Sequence, residues 1–239
     1  MRKIYILLAA LFVFTLGYSA DFTDVKIYLN PGHGGYDPND RNVLTIPFEM
    51  GDTLGYYESK SNLIKGLELR NMLQANGATV YMSRTQNRSE DDRVLSQVAE
   101  EANANGVDAF LSIHSNAFNA SSNYLLLIFH GRDNSPKIPE SLPQAKAAWP
   151  RLANNPLTTW TAYTTSTNIR GDSTFYGTYG LGVVTPLTVP GFLSEGSFHD
   201  YKPETHRLLN PDYCKLEAER FYKYYCDYFQ ADLPATGTI

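Results

Sequence analysis

At 239 residues, 43% hydrophobic and 13% aromatic, the chain is long enough for one domain with a sizeable core and too short for a second full one. It carries 25 acidic against 20 basic residues, and two of the basic ones, Arg2 and Lys3, belong to an N-terminal segment that reads as removable. Nucleic acid and an anionic membrane surface are thereby excluded as main partners, since either requires a basic field.

Arg2 and Lys3 precede an apolar run from Ile4 to Leu16, and Tyr18-Ser19-Ala20 ends in small residues suited to a signal peptidase. The pattern predicts a secretory signal over residues 1–20, cleaved after Ala20. The run falls short of the roughly 20 apolar residues of a spanning helix, so no membrane span is expected after cleavage. No cysteine follows it to carry a lipid anchor. The two cysteines, Cys214 and Cys226, fall in one helical segment that separates them by roughly 18 Å, beyond the about 7 Å a disulfide spans. A secreted chain without disulfides fits the periplasm better than an exterior surface.

Lys26 to Asn30 reads as a first strand, followed over residues 31–57 by a long connection rich in Gly, Pro, Asn and Asp, a candidate functional loop. Ser59 to Asn76 reads as a helix, with Leu63, Ile64, Leu67 and Leu73 at helical spacing and Gly77 as its stop. Thr79 to Ser83 is the second strand. Ser89 and Asp92 read as a capping pair opening a helix whose inward face is Val94, Leu95, Val98 and Ala102, ended by Asn105-Gly106. Ala109 to Ile113 is the third strand and Tyr124 to Phe129 the fourth. Between residues 131 and 190, prolines and threonine-rich pieces break every period; a short helix is expected over Glu140 to Leu152, and a strand or extended lid from Thr159. Val189 to Ser194 reads as a further buried strand, and Asp212 to Phe229 as a closing helix dense in tyrosine and phenylalanine. The main domain is thus residues 21–229, with a flexible tail over 230–239 whose LPATG matches a sortase signal but lacks the hydrophobic and basic residues that follow one. Alternating strands and helices imply an α/β fold: a single-domain, mostly parallel twisted sheet of about six strands flanked by helices on both faces.

In such a sheet, ligands bind beyond the carboxyl ends of the strands. His33, in the turn PGHGG, and His114, in LSIHSN, both follow strands at that edge, as does Glu195; Glu58 opens the first helix from the same edge. Two imidazoles and a carboxylate suit one catalytic zinc with a position left for water, and a second carboxylate is then needed to move protons.

PGHGGYD at 31–37, ESKSNL from 58, LSIHSNAF from 111 and FLSEGSF from 192 together resemble the zinc-dependent N-acetylmuramoyl-L-alanine amidases of the amidase-3 type, which cleave peptidoglycan. The resemblance covers nearly the whole chain after residue 20, loosely over 131–190. It implies His33, Glu58 and His114 as zinc ligands, Glu195 as the catalytic carboxylate, and peptidoglycan as substrate, cut between N-acetylmuramic acid and L-alanine of the stem peptide. Glu49 is an alternative ligand in the same long loop, but it lacks the helical frame of Glu58. Some family members carry an inhibitory helix; residues 131–190 show no clear amphipathic helix, so open access is expected. The rivals are another secreted zinc hydrolase, a carbohydrate deacetylase or a peptidase, and a metal-free peptidoglycan-binding protein. Of the other histidines, His130 is weighed as a substrate contact on the same rim, His199 as support for the ligands, and His206 as exposed. Arg170-Gly171-Asp172 resembles an integrin-binding tripeptide that nothing presents at a surface. Trp149, Trp160, Tyr163, Phe175, Tyr176 and Tyr179 offer either an aromatic wall for a glycan or the packing of a long insertion.

Overall fold

Strand β1 (Lys26–Pro31) sends Ile27 and Leu29 to one face of the sheet and Tyr28 to the other, and all three are buried, so both faces are covered. The computed structural model describes residues 20–35, 55–161 and 168–230. The signal segment up to residue 19, Glu49, Tyr163 and the tail from 231 lie outside the described residues.

After β1 come α1 (Glu58–Ala75), β2 (Thr79–Met82), α2 (Leu95–Asn105), β3 (Ala109–Asn116) and β4 (Leu126–Phe129). A small hairpin, β5 (Gly131–Arg132) and β6 (Ser135–Pro136), precedes α3 (Ser141–Ala153), β7 (Ile169–Gly171) and the single turn α4 (Asp172–Phe175). The chain closes with β8 (Gly191–Phe198), α5 (Lys202–Leu208) and α6 (Pro211–Tyr228). The six-stranded sheet has the order β2-β1-β3-β8-β4-β7. Strands β2, β1, β3 and β8 are parallel, whereas β4 and β7, parallel to each other, run against β8. The expected α/β architecture with about six mostly parallel strands is present. The link from β3 to β4 is too short for a crossover helix, so β4 returns antiparallel, and β8 enters between the two.

Helices α1, α3 and α6 cover one face: Leu69, Leu73, Ala148, Phe221 and Tyr224 pack on Leu29, Leu111, Leu127 and Phe192. The tyrosine-rich sequence of α6 forms edge-to-face pairs there, such as Tyr224 on Phe192 at 5.7 Å between ring centres. Asn210 caps α6 by accepting the Asp212 N–H at 2.9 Å, with Pro211 in the first turn. Cys214 and Cys226, both buried on α6, are free thiols, as their spacing requires. Against the other face lie Val98, Ala99 and Ala102 of α2 with Val183, Val184 and Leu187.

Two sequence expectations fail around α2. Ser89 and Asp92 do not open it: Ser89–Asp91 forms a separate 3-10 turn, and α2 starts at Leu95 without a side-chain cap. That turn is committed to the loop after β1, where Gly35 has φ +66 and a Cβ added to it would lie 2.5 Å from the Ser89 nitrogen. Val94 and Leu95, expected inside, are 60% and 45% exposed because they overhang the sheet edge rather than its face.

The period of α1 also hid a charge. Lys65, 1% exposed, meets Glu217 of α6 at 2.7 Å. Burial alone would pull the Lys65 ammonium down, but Glu217 holds its pKa above the ordinary value. Glu217→Ala strands that ammonium and should cost about 3–5 kcal/mol in urea unfolding, whereas the paired change Lys65→Met with Glu217→Leu should recover most of the loss.

Candidate metal centre

Four strands deliver their carboxyl ends to one edge, and the site is built there. β1 runs out at Pro31 into a turn in which His33 takes φ +60, a left-handed conformation unusual for a residue with a side chain. Gly32, just before it, has its α-carbon against the next strand: a Cβ there would fall 2.0 Å from Cε1 of His114. The glycine is therefore demanded by close approach of the turn to the imidazole.

Glu58 is the first residue of α1, 4% exposed, and its carboxylate lies between both imidazoles. Oε1 is 2.9 Å from Nδ1 of His114, and Oε2 is 3.4 Å from Nε2 of His33. Burial opposes the charge on Glu58, yet His114 and His33 hold its carboxyl well below the ordinary carboxylate range. The backbone N–H of Ser115 donates to Oε1 at 2.9 Å, and Asn62, one turn along α1, donates to the same oxygen at 3.2 Å. Ser115 is fixed in turn by the Tyr56 hydroxyl at 2.9 Å and by Nδ1 of His199, 3.0 Å from its Oγ. Nδ1–H of His199 also donates to the Ser115 carbonyl at 2.9 Å, and its ring lies 5.3 Å from that of Tyr56. His199 thus supports the strand end that carries His114, the role weighed for it from the sequence.

One donor atom from each of His33, Glu58 and His114 lies within 4.8 Å of the others. Ligands about 2.1 Å from a tetrahedral ion are about 3.4 Å apart, so this trio can hold a metal ion. Glu195 stands outside it. It is the strand neighbour of His114 in the parallel β3–β8 register, which puts both side chains on the same face of the sheet. Tyr124 sits close enough that burial, and then the charge of Glu195, raise its phenol above the ordinary value.

The family model described as N-acetylmuramoyl-L-alanine amidase matches residues 27–223, a span holding all four residues. The chain belongs to this family. The amidase CwlM of Bacillus licheniformis is 38% identical over 95 residues, which is 39% of this chain and 32% of that relative. The matched part is thus about a third of the relative's length. Among solved structures, the apo form of the N-acetylmuramyl-L-alanine amidase Ami1 from Mycobacterium abscessus superposes with a TM-score of 0.68 at 19% identity, covering 87% of this chain and 99% of that one. The catalytic domain of CwlV from Bacillus (Paenibacillus) polymyxa var. colistinus gives 0.66 at 20% identity, with 87% and 99% coverage. These likenesses speak for the fold.

Within this amidase-family fold, several residues singled out in the sequence lie elsewhere. His130 is not on the rim of Glu58: β4 is antiparallel, with Leu126 beside Glu195 and Phe129 beside Phe192, so His130 lies more than about 10 Å toward the opposite edge. It faces Asp172 there, at 3.2 Å. Asp172 is fully buried, which removes Arg170-Gly171-Asp172 as a presented tripeptide. Phe175, Tyr176 and Tyr179 follow β7 at that same far edge, away from the metal centre, while Trp149 and Trp160 pack against the helix-covered core, Trp160 also lining a small pocket with His114 and Gly196. His206 is half-buried on α5 rather than exposed. Sequence reasoning passed over Asn62, Tyr56 and Ser115; only Asn62 carried a signal, its i+4 spacing from Glu58.

Asp172 ties the far edge together, accepting from the N–H of Gly131 and the hydroxyl of Thr185, both at 2.8 Å. Burial works against its charge, but these donors, with Leu181 N–H and His130, lower its pKa. A lowered carboxyl pKa contributes stability above its unfolded value of about 3.9, which is lost as pH falls through the folded value. Asp172→Asn should cost about 1–3 kcal/mol at pH 7, and its deficit against the unsubstituted chain should shrink at pH 3, measured by urea unfolding at both.

Proposed function

We propose that this chain is a zinc-dependent N-acetylmuramoyl-L-alanine amidase that cuts peptidoglycan at the amide between N-acetylmuramic acid and L-alanine. The observation that carries the reading is the convergence of His33, Glu58 and His114 on one point with Glu195 on the neighbouring strand, inside a span matching the amidase family. Two imidazoles and one carboxylate leave an ion with net positive charge and an open position, unlike the closed cysteine-rich sets of structural zinc. When bound there, zinc supplies a Lewis acid that acidifies water and polarises a carbonyl.

The chain's own residues supply the rest. The Glu58 carboxylate is pre-set by Ser115 and Asn62, with Tyr56 holding Ser115, so it needs no reorganisation at the moment of reaction. Glu195 takes the proton of the attacking water on its carboxylate and returns it to the leaving nitrogen of L-alanine. His33, half-exposed, and exposed Leu95 border a small pocket beside His114 at this edge, which leaves the centre open to solvent on that side. A secretory segment over residues 1–20 and a periplasmic location fit a substrate that lies outside the cytoplasmic membrane.

Glu195→Ala should retain zinc and lose turnover by at least about a hundredfold, whereas His33→Ala and His114→Ala should lose the metal. Metal content by mass spectrometry, with muropeptide analysis of digested sacculi, checks both. Free stem peptides beginning with L-alanine are the amidase's product; deacetylated glycan or cleaved peptide bonds instead would replace the reading with another zinc hydrolase, and binding without turnover or metal with a peptidoglycan-binding protein.

A further inference from the structure

We infer that Arg84 is the positioning residue of the metal centre: its guanidinium locks the turn bearing His33 to the helix start bearing Glu58. The inference rests on the metal reading above and adds a residue to it.

Arg84 lies just past the end of β2, which runs parallel to β1 and ends at the same edge. It is 5% exposed, and its five N–H donors meet five acceptors. Nε donates to the Pro31 carbonyl at 2.8 Å, and Nη2 donates to those of Gly32 at 3.0 Å and Ser59 at 2.7 Å. Nη1 reaches the Gln86 carbonyl at 3.0 Å and Oδ1 of Asn87 at 3.2 Å. Pro31 and Gly32 lead directly into His33; Ser59 directly follows Glu58. One rigid planar group therefore sets the distance between two ligand-bearing segments that are far apart in sequence.

Its neighbours extend the clamp to the far side of the turn. Asn87 accepts the Gly35 N–H at 3.1 Å, and the Ser59 hydroxyl donates to the Gly35 carbonyl at 2.7 Å. The turn is thereby held before and after His33, whose left-handed backbone would otherwise relax. A cation was not obligatory for carbonyl acceptors; a fork of five fixed donors was.

Charge and position act in opposite directions here, which makes the inference testable. Removing a cation beside the site would tighten zinc binding if charge alone mattered; removing a clamp weakens it. The experiment compares zinc affinity of the full chain, by competition with a chromogenic chelator, in Arg84→Met, Arg84→Lys and a control, Leu73→Ala, which damages the core at the other end of α1. Arg84→Met should raise the zinc dissociation constant at least about tenfold. Arg84→Lys, which keeps the charge without the fork, should fall between, and Leu73→Ala should stay within about twofold at a comparable loss in melting temperature. Unchanged or tighter binding in Arg84→Met, or equal weakening in Leu73→Ala, overturns the inference. Should Arg84→Met not fold, Arg84→Lys decides, and wild-type affinity in it refutes the clamp. Absence of zinc binding in the unsubstituted chain would instead sink the metal reading itself, taking the clamp with it.

Discussion

The carboxylate of Glu58 is the constraint from which the rest of the site follows. An ionised acid at 4% exposure is costly unless it is surrounded by donors, and here they come from three separate segments. His33 comes from the turn after β1, Asn62 from α1, and His114 and the Ser115 N–H from the end of β3. Placing this one group fixes the end of β3, the start of α1 and the turn of β1 relative to one another. The first turn of α1 is buried yet polar because its side chains have partners: Asn62 bonds the Glu58 carboxylate, Ser59 the Gly35 carbonyl and Ser61 the Tyr56 hydroxyl.

Around this carboxylate the protein holds backbone in costly states by means of satisfied polar groups. His33 sits at φ +60, and Gly32 lies against the His114 ring. A network that satisfies its members specifies one arrangement, since any other leaves buried donors unmet. Apolar packing supplies the platform, in which α1, α3 and α6 on one face and α2 on the other keep the strand ends level.

Much of this was legible in the sequence, for physical reasons that differ by residue. Strands buried on both faces read as largely apolar runs, so Ile27 to Leu29 and Leu125 to Phe129 declared themselves, as did Phe110 to Ile113 despite the buried Ser112. The four candidate residues were visible because each reads as following a short apolar strand or opening a helix, although His114 and Glu195 lie within the longer strands β3 and β8. What escaped were consequences of direction and distance. His130 looked like a rim residue because the strand's own residues do not show its direction; the short link from β3 turns β4 back, and it pairs antiparallel with β8. Val94 and Leu95 had the right period but stand beyond the sheet's edge. Lys65 and Arg84 carried no sequence signal, since their partners Glu217 and the carbonyls of Pro31, Gly32 and Ser59 are remote in sequence.

The placement of β8 between β3 and β4 has a consequence for the order in which the centre comes into being. Every residue of the trio belongs to the first half of the chain, and β1 and β3 can pair as soon as they are made. Glu195 arrives only when β8 finds the vacant edge of β3, a parallel pairing across a long stretch of chain and therefore a slow one. A growing chain thus contains the trio of His33, Glu58 and His114 well before Glu195 stands beside it. The centre proposed above is therefore incomplete until the last third of the chain has docked.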